Sequence, residues 1–253
     1  MEKGIWFLRV NSIRNCNKIY KLFIFAFFML RPLKNLNRVF NSMVFYSILF
    51  NFNPTEARKI YVPQDYSAIQ SAIDHSVGGD EIVIFPGRYV ENINFKGKNI
   101  HLRSTNSLDN NIVEQTVIDG SNNLSTVFVS NVESGSLEGI TIANGASRTQ
   151  NLRGLGGGIY CRDSSLIIKK CSLINNEADE GFKLAGLGGG IYSLNSSLRI
   201  EDCVINGNRA NFGGGIYSEN SSIFLVNCLM YDNKVSSLFV NFGVSGGRGG
   251  AIY

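Results

Sequence analysis

Apolar and polar residues alternate over short stretches that recur along the second half of the chain. Alternation over four or five residues predicts β-strands that bury one face, and it is too short for amphipathic helices. Each stretch follows a GGGIY segment at the same distance, so similar strands should recur in successive units. The alternating apolar pairs are Leu166 and Ile168, Leu198 and Ile200, and Ile223 and Leu225.

The GGGIY segment itself gives the period of the repeat. It occurs at Gly156–Tyr160, Gly188–Tyr192 and Gly213–Tyr217, and GGAIY forms residues 249–253. The spacings are 32, 25 and 36 residues, which is typical of solenoid proteins in which each unit packs on the next. We therefore predict an all-β, three-sided parallel solenoid with coils of about 25 residues, the shortest spacing in the sequence.

Like residues of successive coils should stack into columns. Stacked asparagine amides hold parallel strands in register, and repeated cysteines act as small buried hydrophobes. Adjacent coils are close enough for a disulfide, but three cysteines in one column cannot all pair. No CxxC pair accompanies them, so we expect ladders that stabilise the fold, with no metal and no cofactor. The predicted ladders are Asn176, Asn208 and Asn233; Cys171, Cys203 and Cys228; and, at a corner, Asp163, Asn195 and Asn220.

The extra residues of the longer repeats lie between the asparagine and the next glycine triplet. Insertions at one corner project from one edge of a solenoid and often form its binding surface, here residues 146–155, 177–187 and 234–248. The repeated tyrosines should stack on the outer face, where they stabilise the fold or bind sugar rings. The acidic residues of segment 177–187 form either a solvated loop or a weak calcium site. The candidate ligand-binding residues are Tyr160, Tyr192, Tyr217, Arg153, Glu177, Asp179 and Glu180.

The start of the body departs from the repeat. Residues 59–63 and 81–85 predict strands. Between them, apolar residues on one face predict a helix over Ala68–His75 with Ser67 as its N-cap. A short helix followed by strands suits the cap that covers the open end of a solenoid.

Residues 1–57 have the character of a leader. The apolar runs 22–30 and 39–52 are both shorter than a membrane span. The second run, followed by a Thr-Glu-Ala segment, is typical of a secretory signal, and a start at Met29 would give it a conventional length. Residues 1–28 would then be an over-extended start or a long N-terminal region; a pair of membrane-associated helices is the alternative. The β-helix domain should comprise residues 58–253 and be truncated at its C-terminus.

The charge is divided between these two parts. Residues 1–58 hold nine basic and two acidic residues, whereas residues 59–253 hold fifteen basic and eighteen acidic residues. The basic character therefore belongs to the leader, and we expect no nucleic-acid binding by the body.

Two parts of the sequence resemble known families. Residues 61–102 resemble the first coil and cap helix of pectin methylesterases and other secreted proteins of the pectin-lyase-like superfamily. The GGGIY segments with their (Leu/Ile/Met)-x-x-Asn pairs are similar to the GGAI and FxxN repeats of chlamydial polymorphic outer membrane proteins. The resemblance covers residues 59–253 and implies a right-handed parallel β-helix, in agreement with the right-handed crossover rule. It also implies an extracellular, outer-membrane or cell-surface location.

No catalytic residues are predicted. The enzymes that the chain resembles need clustered carboxylates, stacked calcium-binding acids or a Gly-His-Gly segment. Neither His75 nor His101 lies in a Gly-His-Gly segment. We expect a non-catalytic, monomeric protein for adhesion or carbohydrate binding, with a polysaccharide or a host or cell-surface glycan as its partner. The alternative is a polysaccharide-active enzyme of the pectinesterase or pectate-lyase type whose catalytic residues are missing or unrecognised. Membrane contact is expected only through the leader or a missing C-terminal anchor.

Overall fold

The chain winds into stacked coils, so that strands far apart in sequence lie side by side. The structure is a computed structural model that describes residues 57–147, 154–178, 185–236 and 249–253, and the backbone of two further short strands. The predicted leader lies outside the described residues, as does most of the predicted loop edge.

Three parallel sheets form the walls of the solenoid, and each coil contributes one strand to each wall. Sheet A contains, in spatial order, β1 (Lys59–Val62), β2 (Glu81–Ile84), β5 (His101–Ser104), β8 (Gly135–Glu138), β11 (Ser165–Lys169), β15 (Ser197–Glu201) and β19 (Ser222–Val226). Sheet B contains β3 (Gly87–Val90), β6 (Thr116–Asp119), β9 (Thr141–Ala143), β12 (Ser172–Ile174), β16 (Val204–Asn206) and β20 (Leu229–Tyr231). Sheet C contains β4 (Ile93–Asn94), β7 (Val127–Ser130), β10 (Ile159–Arg162), β14 (Ile191–Leu194) and β18 (Ile216–Glu219).

The strand register follows the sequence repeat. Leu166 pairs with Leu198, and Leu198 pairs with Ile223 on the next strand of sheet A. Every pair within the three walls is parallel, so identical positions of successive coils stack directly. The prediction of an all-β parallel solenoid with three walls is confirmed.

Two features lie outside the walls. A short parallel sheet D contains β13 (Glu177–Ala178), β17 (Arg209–Ala210) and β21 (Lys234–Val235). An antiparallel hairpin is formed by β22 (Leu238–Val240) and β23 (Gly243–Ser245). The starts of two segments that we predicted as projecting loops therefore continue the solenoid as strands.

The cap helix is present, but its N-cap differs from the prediction. Helix α1 spans Ile69–His75, and Ala68 at the N-cap position makes no side-chain hydrogen bond. The Glu91 carboxylate instead accepts hydrogen bonds from the backbone N–H groups of Ile69 and Gln70, both at 2.9 Å. A carboxylate satisfies these orphan donors and interacts favourably with the helix dipole.

A second helix, α2, spans Asn110–Gln115 between sheets A and B. The sequence pattern did not predict it. Asp109 caps it, because its side chain accepts a hydrogen bond from Asn111 N at 2.9 Å.

The corners of each coil use left-handed backbone. Positive φ recurs at three positions per coil in residues that tolerate it, mainly Asn, Asp and Gly. The corner residues are Asp163, Asn195 and Asn220; Lys170, Asp202 and Asn227; and Asn175, Gly207 and Asp232. At the first corner, Asn195 Nδ2 donates to Asp163 Oδ1 at 3.1 Å. The first glycine of each triplet is also left-handed, with φ of 62° at Gly156 and 67° at Gly188.

The interior holds aliphatic columns and one buried polar column, the asparagine ladder (Asn176, Asn208, Asn233). Asn208 is fully buried. Its Nδ2 donates to Leu173 O at 3.0 Å and to Asn233 Oδ1 at 2.9 Å. Its Oδ1 accepts from Asn176 N and Asn176 Nδ2, both at 3.0 Å. Each amide thus joins the coil before it to the coil after it.

We predict that Asn208→Ala lowers the free energy of unfolding by about 3 kcal/mol, because it leaves buried polar groups on both neighbouring coils without partners. Urea and thermal unfolding of the full chain measure the change. The control is Asn206→Ala, which removes a half-buried amide on the outer side of β16. It should change the free energy of unfolding by less than about 1 kcal/mol. Equal effects of the two variants would contradict the role of the ladder.

We also predict that Gly190→Ala destabilises the protein by about 2 kcal/mol or more, because the third glycine of the triplet packs against the next coil. A Cβ atom at Gly190 would lie 2.6 Å from the backbone oxygen of Gly215. That oxygen already accepts a hydrogen bond from Ile191 N at 2.9 Å, so it cannot move freely. The same thermal unfolding experiment tests the change.

Gly78→Ala is its matched control, since an added Cβ there meets nothing within 4 Å and the φ of Gly78 is not positive. This control should be neutral or slightly stabilising. A Gly190→Ala variant as stable as the control would show that close coil packing is not needed at the triplet.

Candidate functional site

The tyrosine column (Tyr160, Tyr192, Tyr217) lies on the outer side of sheet C. Consecutive rings stack, with centroids 5.6 Å apart between Tyr160 and Tyr192 and 5.8 Å apart between Tyr192 and Tyr217. Phe128 extends the stack at one end, 4.7 Å from Tyr160, and Tyr253 extends it at the other, 5.4 Å from Tyr217. The ring faces along the column are therefore occupied by neighbouring rings.

Residues next to the glycine triplets also cover the column. Tyr192 is only 4% exposed and forms a second apolar cluster with Ala185 and Leu187. Leu155 and Phe212 pack on the same cluster. Stacking and cover together leave no open tyrosine face in mid-column for a sugar ring, so these contacts favour a stabilising role for the column.

The predicted ligand residues of the loop edge are not brought together in the described part of the chain. Glu177 lies in β13, where Oε1 is 3.8 Å from Arg209 Nη1. Arg153, Asp179 and Glu180 lie outside the described residues. Within the described ranges, no group of three or more potential metal ligands occurs.

The cysteine ladder (Cys171, Cys203, Cys228) lies at the corner between sheets A and B. Cys171 N donates to Cys203 Sγ at 3.4 Å, and Cys203 Sγ in turn donates to Glu201 O at 3.1 Å. All three are free thiols, as is Cys161 in sheet C. The side-chain interaction with Cys171 and burial raise the pKa of Cys203, although the backbone hydrogen bond from Cys171 lowers it, and burial raises the pKa of Cys161 to about 11. Thiols in this state are poor nucleophiles at neutral pH.

A cleft of about 300 Å³ opens on the outer face of sheet A, which we call the sheet A cleft. Outward side chains of β5, β8, β11 and β15 line it, and most of them are charged. The lining residues are His101, Ser136, Leu137, Glu138, Ile167, Lys169, Arg199 and Glu201.

The cations and carboxylates of the cleft form ion pairs, one within β15 and one between β11 and β15. Arg199 Nη2 contacts Glu201 Oε1, and Lys169 Nζ is 3.8 Å from Glu201 Oε2. Ile167 is 45% exposed between these charged groups. The Arg199 guanidinium also lies 5.6 Å from the centroid of the exposed Phe224 ring on the next strand. The cleft thus combines donors, acceptors and apolar surface.

One end of the cleft brings three side chains together, one hydrogen-bonded pair and one carboxylate at ion-pair distance. His101 Nδ1 lies within hydrogen-bond distance of Ser136 Oγ, and His101 Nε2 is 3.5 Å from Glu138 Oε2. The other Glu138 oxygen accepts a hydrogen bond from Ser107 Oγ at 2.6 Å. The strand register fixes this arrangement, because His101 is the direct partner of Ser136 and Arg103 is the partner of Glu138.

Burial lowers the pKa of His101 below its usual range, although the charges of Glu138 and Glu81 act in the opposite direction. The imidazole is therefore neutral at pH 7. A neutral ring that donates from Nε2 to Glu138 has its lone pair on Nδ1, directed at Ser136. We assign this tautomer from the hydrogen-bond partners.

The geometry of the coils agrees with comparison to known protein families. The family model for a right-handed β-helix region matches residues 76–251 of the chain. The chain belongs to the right-handed β-helix family. A search of the curated proteins gives no match, and a search of the solved structures gives none either. Membership of the right-handed β-helix family fixes the hand of the solenoid. It does not determine the activity, which depends on the residues of the individual site.

Among the described residues of this β-helix, no helix is long and apolar enough to cross a membrane.

Sequence reasoning singled out His101 but did not connect it with Ser136 and Glu138. The contact between His101 and Ser136 spans 35 residues, and the coils that carry them precede the first GGGIY segment. A signal existed in strand β5, which carries His101 and alternates outward and inward residues. Aligning that strand with the one before Gly139 would have placed the three side chains on one outer face.

We predict that iodoacetamide at pH 8 labels Cys228 before Cys161 and Cys203 in the native full-length chain. Burial raises the pKa of all three thiols, but Cys228 is only partly buried whereas Cys161 and Cys203 are shielded from the reagent. Peptide mapping of the labelled protein measures the order, and labelling in urea is the control in which all cysteines react. Rapid native labelling of Cys203 would contradict the buried ladder.

Proposed function

We propose that the protein is a secreted or surface-displayed β-helix that binds polysaccharide through the sheet A cleft. The observation that carries the proposal is the cleft itself, in which charged and apolar side chains from four strands face the solvent together. A regular wall with parallel strands presents these groups at the strand spacing, about 4.8 Å. An extended polymer lying across the strands would meet a different polar or apolar side chain on each strand.

The side chains of the cleft suit sugar hydroxyls. Arginine and lysine donate hydrogen bonds, carboxylates accept them, and histidine does one at each ring nitrogen. Ile167 and the 64% exposed Phe224 supply apolar surface for the C–H face of a sugar ring. Binding sites for small ligands commonly combine apolar surface with a few placed polar groups.

The finer family relationship is also a proposal. Within the right-handed β-helix family, residues 61–102 support kinship with the pectin-lyase-like superfamily. The GGGIY repeats support kinship with chlamydial polymorphic outer membrane proteins. Both relationships, together with the signal-like leader, support an extracellular or outer-membrane location and adhesion to a host or cell-surface glycan.

The second candidate function is a polysaccharide-active enzyme. The contact between Ser136, His101 and Glu138 favours it, because nucleophile, base and acid types of side chain meet in the cleft. The cysteine ladder and the tyrosine column offer no comparable chemistry, since their groups are buried or stacked on one another.

We predict that Arg199→Ala weakens polysaccharide binding about 10-fold, because one hydrogen bond from a charged donor contributes roughly 1.5–3 kcal/mol. Glycan-array screening of the full-length chain identifies the polysaccharide, and biolayer interferometry measures the dissociation constants of both forms. The control is Arg209→Ala on sheet D, since Arg199 and Arg209 are both 52% exposed. Binding to no glycan, or equal loss in the two variants, would contradict the proposed site.

A further inference from the structure

We propose that Ser136, His101 and Glu138 hydrolyse carboxylic esters, with Ser136 as nucleophile, His101 as general base and Glu138 as the positioning residue. This activity goes beyond glycan binding and does not require it, because it depends only on the local arrangement at one end of the sheet A cleft. Its substrate class is an ester whose acyl group is small enough to enter a cleft of about 300 Å³.

The hydrogen-bond directions match those required of a serine nucleophile and its base. In the assigned tautomer the Ser136 hydroxyl donates to Nδ1 of His101, and Nε2 of His101 lies 3.5 Å from Glu138 Oε2. A base that hydrogen-bonds the nucleophile and is oriented by a third group is the general signature of an activated serine. Ser107 completes the arrangement, since its hydroxyl holds the second oxygen of Glu138 at 2.6 Å.

Burial keeps the His101 imidazole available as a base at neutral pH, and three charged groups face the ring. Glu81 on β2, Arg103 on the same strand as His101, and Glu138 on β8 face the imidazole. Glu81 is itself paired, with Oε1 2.5 Å from Arg103 Nε and Oε2 3.4 Å from Lys59 Nζ. Glu138 is thus the carboxylate best placed to stabilise the imidazolium that forms when His101 accepts a proton.

The reaction balances without a further reactant except water. Ser136 Oγ attacks the carbonyl carbon of the ester while its proton moves to His101 Nδ1. The tetrahedral intermediate collapses, the bond from carbon to the alkoxy oxygen breaks, and His101 returns the proton to the departing alcohol. Water then attacks the carbonyl carbon of the acyl-serine while His101 takes its proton. The bond from that carbon to Ser136 Oγ breaks, His101 returns the proton to Oγ, and the carboxylic acid leaves.

The developing oxyanion needs a positive partner in the cleft. Most backbone N–H groups of sheet A are engaged in the parallel ladder, so the side chains must supply it. Lys169 lines the same cleft, is 41% exposed and is the register partner of Glu138 on the neighbouring strand. Arg103 is the register partner of Glu138 on the other side but is paired with Glu81, so Lys169 is the cation that we assign to the oxyanion. Positive charge at such a position stabilises the transition state.

The test uses the purified full-length chain with two probes. A fluorophosphonate reports covalent capture of an activated serine, located by peptide mapping, and p-nitrophenyl acetate reports turnover. We expect the label on Ser136 and a loss of turnover of at least about 100-fold in both Ser136→Ala and His101→Gln. Ser165→Ala is the matched control, because Ser165 is an exposed serine on the outer face of the same sheet. It should retain full labelling and turnover.

Glu138→Gln separates a positioning role from a merely structural one. Removing the negative charge lowers the pKa of His101, because Glu138 raises it in the native protein. The ascending limb of the pH–rate profile should therefore move to lower pH while the maximal rate falls about 10-fold or more.

Two results would overturn the proposal. If Ser136 stays unlabelled while circular dichroism shows that the chain is folded, Ser136 is not an activated nucleophile. Turnover that survives in Ser136→Ala places any hydrolysis elsewhere. Glycan binding is measured separately, so its presence or absence bears on the proposed function and leaves this test unchanged.

Discussion

Polar side chains that repeat inside this solenoid bond to the neighbouring coil at the same position of the repeat. The asparagine ladder shows the constraint most clearly, since each buried amide bonds to the amide and backbone of neighbouring coils. A coil that lacked the asparagine would leave buried groups of two neighbours unsatisfied, which costs more than a single hydrogen bond contributes. The repetition of inward residues, corner residues and glycine triplets in the sequence follows from this requirement.

The same constraint leaves the outer faces free to carry chemistry. An outward side chain need not be the same residue as the one at its position in the next coil. The outer face of sheet A can therefore place a histidine beside a serine without disturbing the packing of the interior. The tyrosine column shows the opposite outcome, because its outward rings repeat and stack on one another as interior residues do. We therefore expect functional sites in this fold at outward positions where the residue differs from coil to coil.

The walls could be predicted from sequence, because both the spacing of the repeat and the alternation of apolar and polar residues indicate strands of successive coils that stack on one another. Features outside the repeat were missed or misplaced. Glu91 caps helix α1 from more than 20 residues away, and no local sequence pattern indicates a capping residue at that distance. Two strands of sheet D, β13 and β21, were predicted as loop because they are only two residues long. Ser136 and Glu138 escaped notice for a similar reason, since their contact with His101 depends on register between coils that lack the GGGIY segment.

A double-mutant cycle on Asn176 and Asn208 tests most directly whether the buried amides hold successive coils together. The full-length chain, each single alanine variant and the double variant are unfolded in urea, and the coupling energy is taken from the four free energies. The account predicts that the double variant loses less stability than the sum of the single variants, with a coupling of about 1 kcal/mol or more. Strictly additive losses would show that the two amides act independently, and the ladder would then not hold the coils in register.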